Sequence, residues 1–234
     1  MIKRGMKIIL LLFVAATVFL CGCSKDKKIT PEVQFGDTIM PLAEGNYWIY
    51  RDSIYEGREL VDTEDSKIKI TGSSLISYQG EQKRVYYWNW FEMPEDKPQS
   101  RKTLVRNDEG GLFYYGQKMG SSYSQLSQTL FIKYPVDTGQ EWSYLQGAII
   151  ECISTSEEFE TPAGIFDAYV YKVTSGWRSL PGFTDSADET ARFRTAAIQY
   201  LYYVPDVGYV GMEAIENGGL VLRRHLKEYK VKQE

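Results

Sequence analysis

IQYLYYV-PDVG-YVGMEAI-E-NGG-LVLRRHLKEY, residues Ile198 to Tyr229, is the stretch that decides the fold. Three β-branched and aromatic runs, Ile198 to Val204, Tyr209 to Ile215 and Leu220 to Tyr229, are separated only by turn residues. Glycine supplies the positive φ that tight reversals need, and Asn and Asp tolerate it. The gaps are too short for the crossover that parallel pairing requires, so neighbouring runs pair antiparallel.

The same grammar extends outward. Lys67-Ile68-Lys69-Ile70 alternates with period two, the mark of a half-buried strand. Val85-Tyr86-Tyr87-Trp88-Asn89-Trp90-Phe91 is aromatic on both faces and predicts a strand covered on both sides, and Ala168 to Val173 continues the theme. Glu56-Gly57, Gln79-Gly80 and Asp108-Glu109-Gly110-Gly111 supply further reversals. Three polar stretches predict surface loops: Glu92 to Arg101, Lys118 to Gln128 and Ser179 to Thr190. The expected class is all-β: a curved antiparallel meander or half-barrel built from two related halves, with a closed lipocalin-like barrel as the alternative.

The two halves are suggested by a repeat. Pro41-Leu42-Ala43-Glu44-Gly45-Asn46-Tyr47-Trp48-Ile49-Tyr50 returns as Pro135-Val136-Asp137-Thr138-Gly139-Gln140-Glu141-Trp142-Ser143-Tyr144, at an offset of 135 − 41 = 94 residues. Pro and Gly shape a turn, and Trp and Tyr two apart then share one strand face. Trp48 and Trp142, with Tyr50 and Tyr144, are read either as core anchors opening the two halves or as walls of an apolar binding cavity.

The N-terminus carries an address. Lys3, Arg4 and Lys7 precede the uncharged run Ile8 to Leu20, the order of a secretory signal peptide and short for a spanning helix. Leu20-Cys21-Gly22-Cys23 resembles a bacterial lipobox, in which the last cysteine is acylated and becomes the new N-terminus. Residues 1–22 are thus the expected signal helix, 23–40 a lipidated tether and 41–230 a single β domain. Removing three basic residues from 27 leaves 24 against 31 acids, a net charge of −7. That balance argues against nucleic acid and against charge-driven docking on anionic lipid, so acyl chains on Cys23 are the expected membrane contact. With Cys21 removed and Cys23 acylated, Cys152 is left alone in Ala148 to Ile153 and is expected to be a buried, inert thiol.

Strand openers of this Gly-x-x-Trp kind, Thr161-Pro162-Ala163-Gly164-Ile165-Phe166-Asp167-Ala168-Tyr169, Tyr202-Tyr203-Val204-Pro205-Asp206-Val207-Gly208-Tyr209-Val210 and Leu226-Lys227-Glu228-Tyr229 together resemble a family of uncharacterised lipoproteins common in Bacteroidota, whose domain is of unknown function. The resemblance implies an antiparallel β domain similar to the half-barrels of lipoprotein carriers, and it supplies no catalytic residues.

Catalytic toolkits are sparse. The single histidine, His225, falls by period two with Arg223 and Lys227 on the polar face of its strand, where it is expected to be exposed. No Gly-x-Ser-x-Gly elbow or Gly-rich phosphate loop occurs, and zinc sites usually draw on several His or Cys. The acidic clusters Glu157-Glu158-Phe159-Glu160 and Asp185-Ser186-Ala187-Asp188-Glu189 read as solvated surface, although a glycosidase needs only two well-placed carboxylates. The expectation is therefore a non-enzymatic protein without cofactor or metal, lipid-anchored in a bacterial envelope, at the outer membrane. It would bind an apolar molecule, a glycan or a partner protein; a structural role in an envelope complex is the alternative and a glycan hydrolase the third.

Overall fold

The structure, a computed structural model, describes residues 38–124, 126–174 and 198–232. The signal segment, Cys23, the tether as far as Asp37 and the Ser179 to Thr190 stretch with its acidic cluster lie outside the described residues. Strands follow in the order β1 (Tyr47–Glu56), β2 (Glu59–Tyr78), β3 (Glu81–Glu92), β4 (Lys97–Pro98), β5 (Arg101–Asp108), β6 (Gly111–Met119), β7 (Ser122–Tyr123), β8 (Thr129–Lys133), β9 (Glu141–Ser143), β10 (Ile149–Thr161), β11 (Gly164–Thr174), β12 (Ile198–Val204), β13 (Gly208–Glu216) and β14 (Gly219–Lys230). The described residues add one turn of 3-10 helix at Leu145–Gly147, and none of their helices is long and apolar enough to cross a membrane.

All fourteen strands form one antiparallel sheet in the order β7-β6-β5-β3-β2-β1-β14-β13-β12-β11-β10-β9, with β4 added to β3 and β8 to β6. Strands β1, β2, β3, β5, β6 and β8 make one meander and β9 to β14 a second, joined by the ladder of β1 with β14. The two meanders begin alike. Gly45 N–H donates to the Ile70 carbonyl and Ile70 N–H to the Asn46 carbonyl (both 2.9 Å). In the second copy Gly139 N–H donates to Cys152 O (2.7 Å) and Cys152 N–H to Gln140 O (2.9 Å). Trp48 then faces Ile68 across the ladder, and Trp142 faces Ile150. Gly45 and Gly139 take φ of +92° and +85° with open space around them, so conformation, not room, demands glycine there.

The second junction, where β8 would meet β9, differs. Residues 134–140 connect these two opposite edges of the sheet, which must curl until they approach. Side chains take over from the ladder there: Trp142 Nε1 donates to Phe131 O (3.2 Å), Tyr171 Oη to Lys133 O (3.0 Å), and Lys133 Nζ to Gln140 Oε1 (2.8 Å). The curved meander is thus the observed form and the closed lipocalin-like barrel is not. The physical reason is local: β8 and β9 are short, and Pro135 just beyond β8 has no N–H to donate.

Ile68, Ile70, Trp88 and Trp90 point into the main core. Between Ile70 and Ser73 the register slips, so Thr71 and Gly72 oppose the single Tyr87 and the inward alternation flips. Beyond this bulge Ile76 joins Val85, Tyr87, Leu104 and Tyr115 in a second core on the outer face, packed by Leu126. The expected loop at Lys118–Gln128 is therefore part hairpin, through β7, and part cover. The Val85–Phe91 strand is covered on both sides, as its aromatics predicted.

Residues 38–40, assigned to the tether by sequence, belong to the body. Ile39, Met40 and Leu42 are buried, Thr38 O accepts from Asp206 N–H (3.2 Å), and Asn107 Nδ2 donates to Met40 O (2.7 Å). This run seals the base of the sheet, the end at which β12 turns into β13.

Candidate functional site

The residues nominated by sequence lie in the packed interior. Trp48 and Tyr50 are fully buried, Tyr144 is buried and Trp142 is half-buried. Their polar tips are largely engaged by the protein itself: Trp48 Nε1 donates to Val207 O (2.7 Å), Tyr50 Oη to Tyr209 O (2.9 Å) and Trp142 Nε1 to Phe131 O (3.2 Å). The Tyr144 hydroxyl has no hydrogen-bond partner among the described residues. Rings continue across the interior in contact, Tyr50 with Tyr209 (5.3 Å), Tyr209 with Tyr203 (5.3 Å), Tyr203 with Tyr171 (6.0 Å) and Tyr171 with Trp142 (5.9 Å). Burial pushes the phenols of Tyr50, Tyr203 and Tyr144 well above their ordinary range, so they remain neutral. The structure places the repeat aromatics at two points of one continuous core, one at the centre of the sheet and one at its seam.

A charged pair inside the core escaped the sequence reading. Arg224 and Asp52, 4 % and 2 % exposed, face each other across β1 and β14. Arg224 Nε donates to Asp52 Oδ1 (2.6 Å), its Nη2 to Oδ2, and Ser66 Oγ donates to the same Oδ2 (3.0 Å). The guanidinium lies 4.5 Å from the Trp90 ring and 5.6 Å from Tyr50. Burial pulls the Arg224 pKa down, but Asp52 outweighs it and the net shift is upward. The signal was present: period two sets Arg224 between Leu222 and Leu226, and Asp52 between Tyr50 and Ile54, at inward positions.

His225 is not exposed as expected. Past bulges near Ser154, the β10–β11 hairpin folds over the outer face of β12, β13 and β14. Phe159 stacks on Tyr202 (3.8 Å) and meets His225 edge-on (5.1 Å), while Phe166 meets Tyr229 (6.2 Å). Gly211 makes this approach possible: a Cβ there would lie 2.4 Å from the Phe159 ring. Burial, then Arg223, lowers the His225 pKa. Glu157, Glu158 and Glu160 are exposed, and Cys152 is fully buried with its thiol pushed up by burial. Among the described residues no three His, Cys, Asp or Glu side chains converge as metal ligands would.

The outer face carries a second arrangement that sequence did not single out. Lys102 and Lys118 sit directly opposite each other on β5 and β6. Both ammonium groups approach the Tyr87 ring, at 5.3 and 4.9 Å, and Lys118 Nζ donates to Tyr87 Oη (3.2 Å). Lys118 also lies 5.4 Å from Tyr123, whose hydroxyl is 3.4 Å from Ser74 Oγ. Burial raises the Tyr87 pKa, but hydrogen bonds from Ser74, Lys118 and Tyr123 outweigh it and the net shift is downward. A separate open groove of about 370 Å³ lies beside Arg51, Asp65 and Met93; its Asp65 carboxylate is held by Arg51 (3.3 Å) and Lys227 (2.6 Å).

No protein-family model and no curated protein matches the chain. Among solved structures it is similar to a candidate exported protein with a YmcC-like fold from Bacteroides fragilis, at 14 % identity and a TM-score of 0.46, covering 83 % of this chain and 100 % of that one. It is also similar to a candidate lipoprotein from Parabacteroides distasonis, at 15 % identity and a TM-score of 0.39, covering 83 % and 99 %.

Proposed function

We propose that the mature chain is anchored through acylated Cys23 to the bacterial envelope, at the outer membrane, and acts as a non-catalytic interaction module through the outer faces of its sheet. One observation carries the reading: the aromatics that could have walled a ligand cavity fill the interior in mutual contact, and Trp48, Tyr50 and Trp142 spend their donors on backbone carbonyls. A ligand entering there would break those hydrogen bonds without replacing their geometry. The basic n-region, the apolar run and the terminal Cys23 support the anchor.

The reading is tested on the full-length protein and on Cys23→Ala. The parent is expected to take up labelled fatty acid and to sediment with membranes, and the variant to do neither. Labelled lipid on Cys23→Ala would defeat the anchor assignment. Turnover within a panel of glycan and ester substrates, abolished by acid-to-amide changes, would defeat the non-catalytic part, and an apolar molecule co-purifying from inside the sheet would defeat the outer-face part. A role in assembly is favoured by Leu60 and Val61, at 55 % and 45 % exposure near the β1–β2 turn.

A further inference from the structure

Read across the strands, the outer face of β1, β2, β3, β5, β6 and β7 presents one row of side chains. Tyr47 is opposite Lys69, Lys69 opposite Asn89, Lys102 opposite Lys118 and Lys118 opposite Tyr123. The pairing of Trp88 with Thr103 brings Lys102 alongside Asn89 and completes the row. Like charges directly opposite each other on one face repel and lower stability. Yet none of Lys69, Lys102 and Lys118 is ion-paired among the described residues, although the chain carries 31 acids against 27 bases. At the centre of the row Asn89, 1 % exposed, holds a carbonyl oxygen with no hydrogen-bond partner among the described residues. Tyr123, at the end of the row, is 41 % exposed.

We propose that this row is a binding site for an anionic carbohydrate, whose acidic group sits between Lys102 and Lys118 and whose sugar ring lies on Tyr123. Ammonium groups are compact charges with three rotatable donors and suit a carboxylate arriving from solvent. Tyrosine offers the apolar body and polar tip that match the C–H face and hydroxyls of a pyranose. When the lysine side chains turn toward the anion, the Asn89 carbonyl becomes the acceptor for a sugar hydroxyl. Lys102 is six residues up β5 from Asp108 at the base of the sheet, roughly 20 Å at the strand rise. The inference rests on the reading that the outer faces are the working surface.

The test uses the full-length, detergent-solubilised protein in native gels containing polygalacturonate or the neutral polymer dextran. Polygalacturonate is expected to retard the protein, dextran is not, and the retardation is expected to weaken as salt rises. The double variant Lys102→Gln/Lys118→Gln is expected to lose at least tenfold in affinity and Tyr123→Ala about threefold, while Lys172→Gln, on β11 in the other meander, binds as the parent does. Lys102→Gln alone, which removes like-charge repulsion and a cation–π contact with Tyr87 but no hydrogen bond, is expected to bind more weakly while melting close to the parent, so its lost binding is not lost folding. Equal retardation by dextran, unchanged affinity of the double variant, or displacement by glycerol 3-phosphate as effective as by a galacturonate oligomer would each overturn the proposal. Reducing ends assayed in the same incubations separate the failures: polymer that is cleaved sinks the interaction reading itself, and polymer neither bound nor cleaved sinks only this site.

Discussion

Asp52 and Arg224 show how much one inward charge constrains its surroundings. A buried ion pair contributes little net stability, because the loss of hydration offsets the attraction, but removing one partner strands the other. Asp52→Ala is therefore expected to cost about 3–5 kcal/mol in a urea titration, whereas Asp52→Leu combined with Arg224→Met should be neutral or stabilising by up to ~4 kcal/mol. A single variant as stable as the parent would mean that solvent reaches Arg224. His225 makes a subtler point. Burial, followed by Arg223, favours the neutral ring in the folded protein, with Glu213 and Glu160 opposing. As pH falls the unfolded chain therefore takes up the proton first. The stability in question is intact above about pH 6.5 and is lost as pH drops from there through the lowered folded value. The stability difference between the parent and His225→Gln should accordingly shrink from about pH 7.5 to about pH 5.5. A constant difference would show that Phe159 does not cover the ring.

The repeated turn-and-strand unit is the element on which the fold is built, and its two copies are loaded differently. Trp48 opens a ten-residue strand paired on both sides and is fully buried, while Trp142 opens a three-residue strand at the seam and is half-buried. Trp48→Ala is expected to cost about 3–5 kcal/mol, the range for truncating a buried large aromatic. Trp142→Ala is expected to cost distinctly less, both because less area is buried and because a seam of side chains can relax where a ladder cannot. Thermal melts of the two variants decide this, and equal losses would show that the seam is as cooperative as the centre. The β10–β11 hairpin and the β2 bulge illustrate a second rule: a slip of register changes which face a strand buries. That is why the outer surface owns a small core of its own and why His225 is covered.

For the molecule as a whole, one continuous sheet curls until its first and last edges approach, with one junction of the two meanders hydrogen-bonded and the other zipped by an indole and a phenol. The antiparallel order, the turns and the repeat were legible in the chain, because they depend on alternation and on glycine at fixed offsets, and both are local. The inward places of Arg224 and Asp52 were legible too, though their meeting was not, since they are separated by most of the sequence. The Lys102–Lys118–Tyr87 arrangement had no sequence signal at all: three side chains from three strands share a face only once the register of β3, β5 and β6 is set. What the sequence alone determined is thus the strand grammar, the paired openers and the N-terminal address, each written in residues a few positions apart. The tertiary structure alone decided that the openers anchor a packed interior, that an arm covers His225 and that two lysines converge on one tyrosine. Those outcomes depend on curvature and register, which are set by contacts distant in the chain.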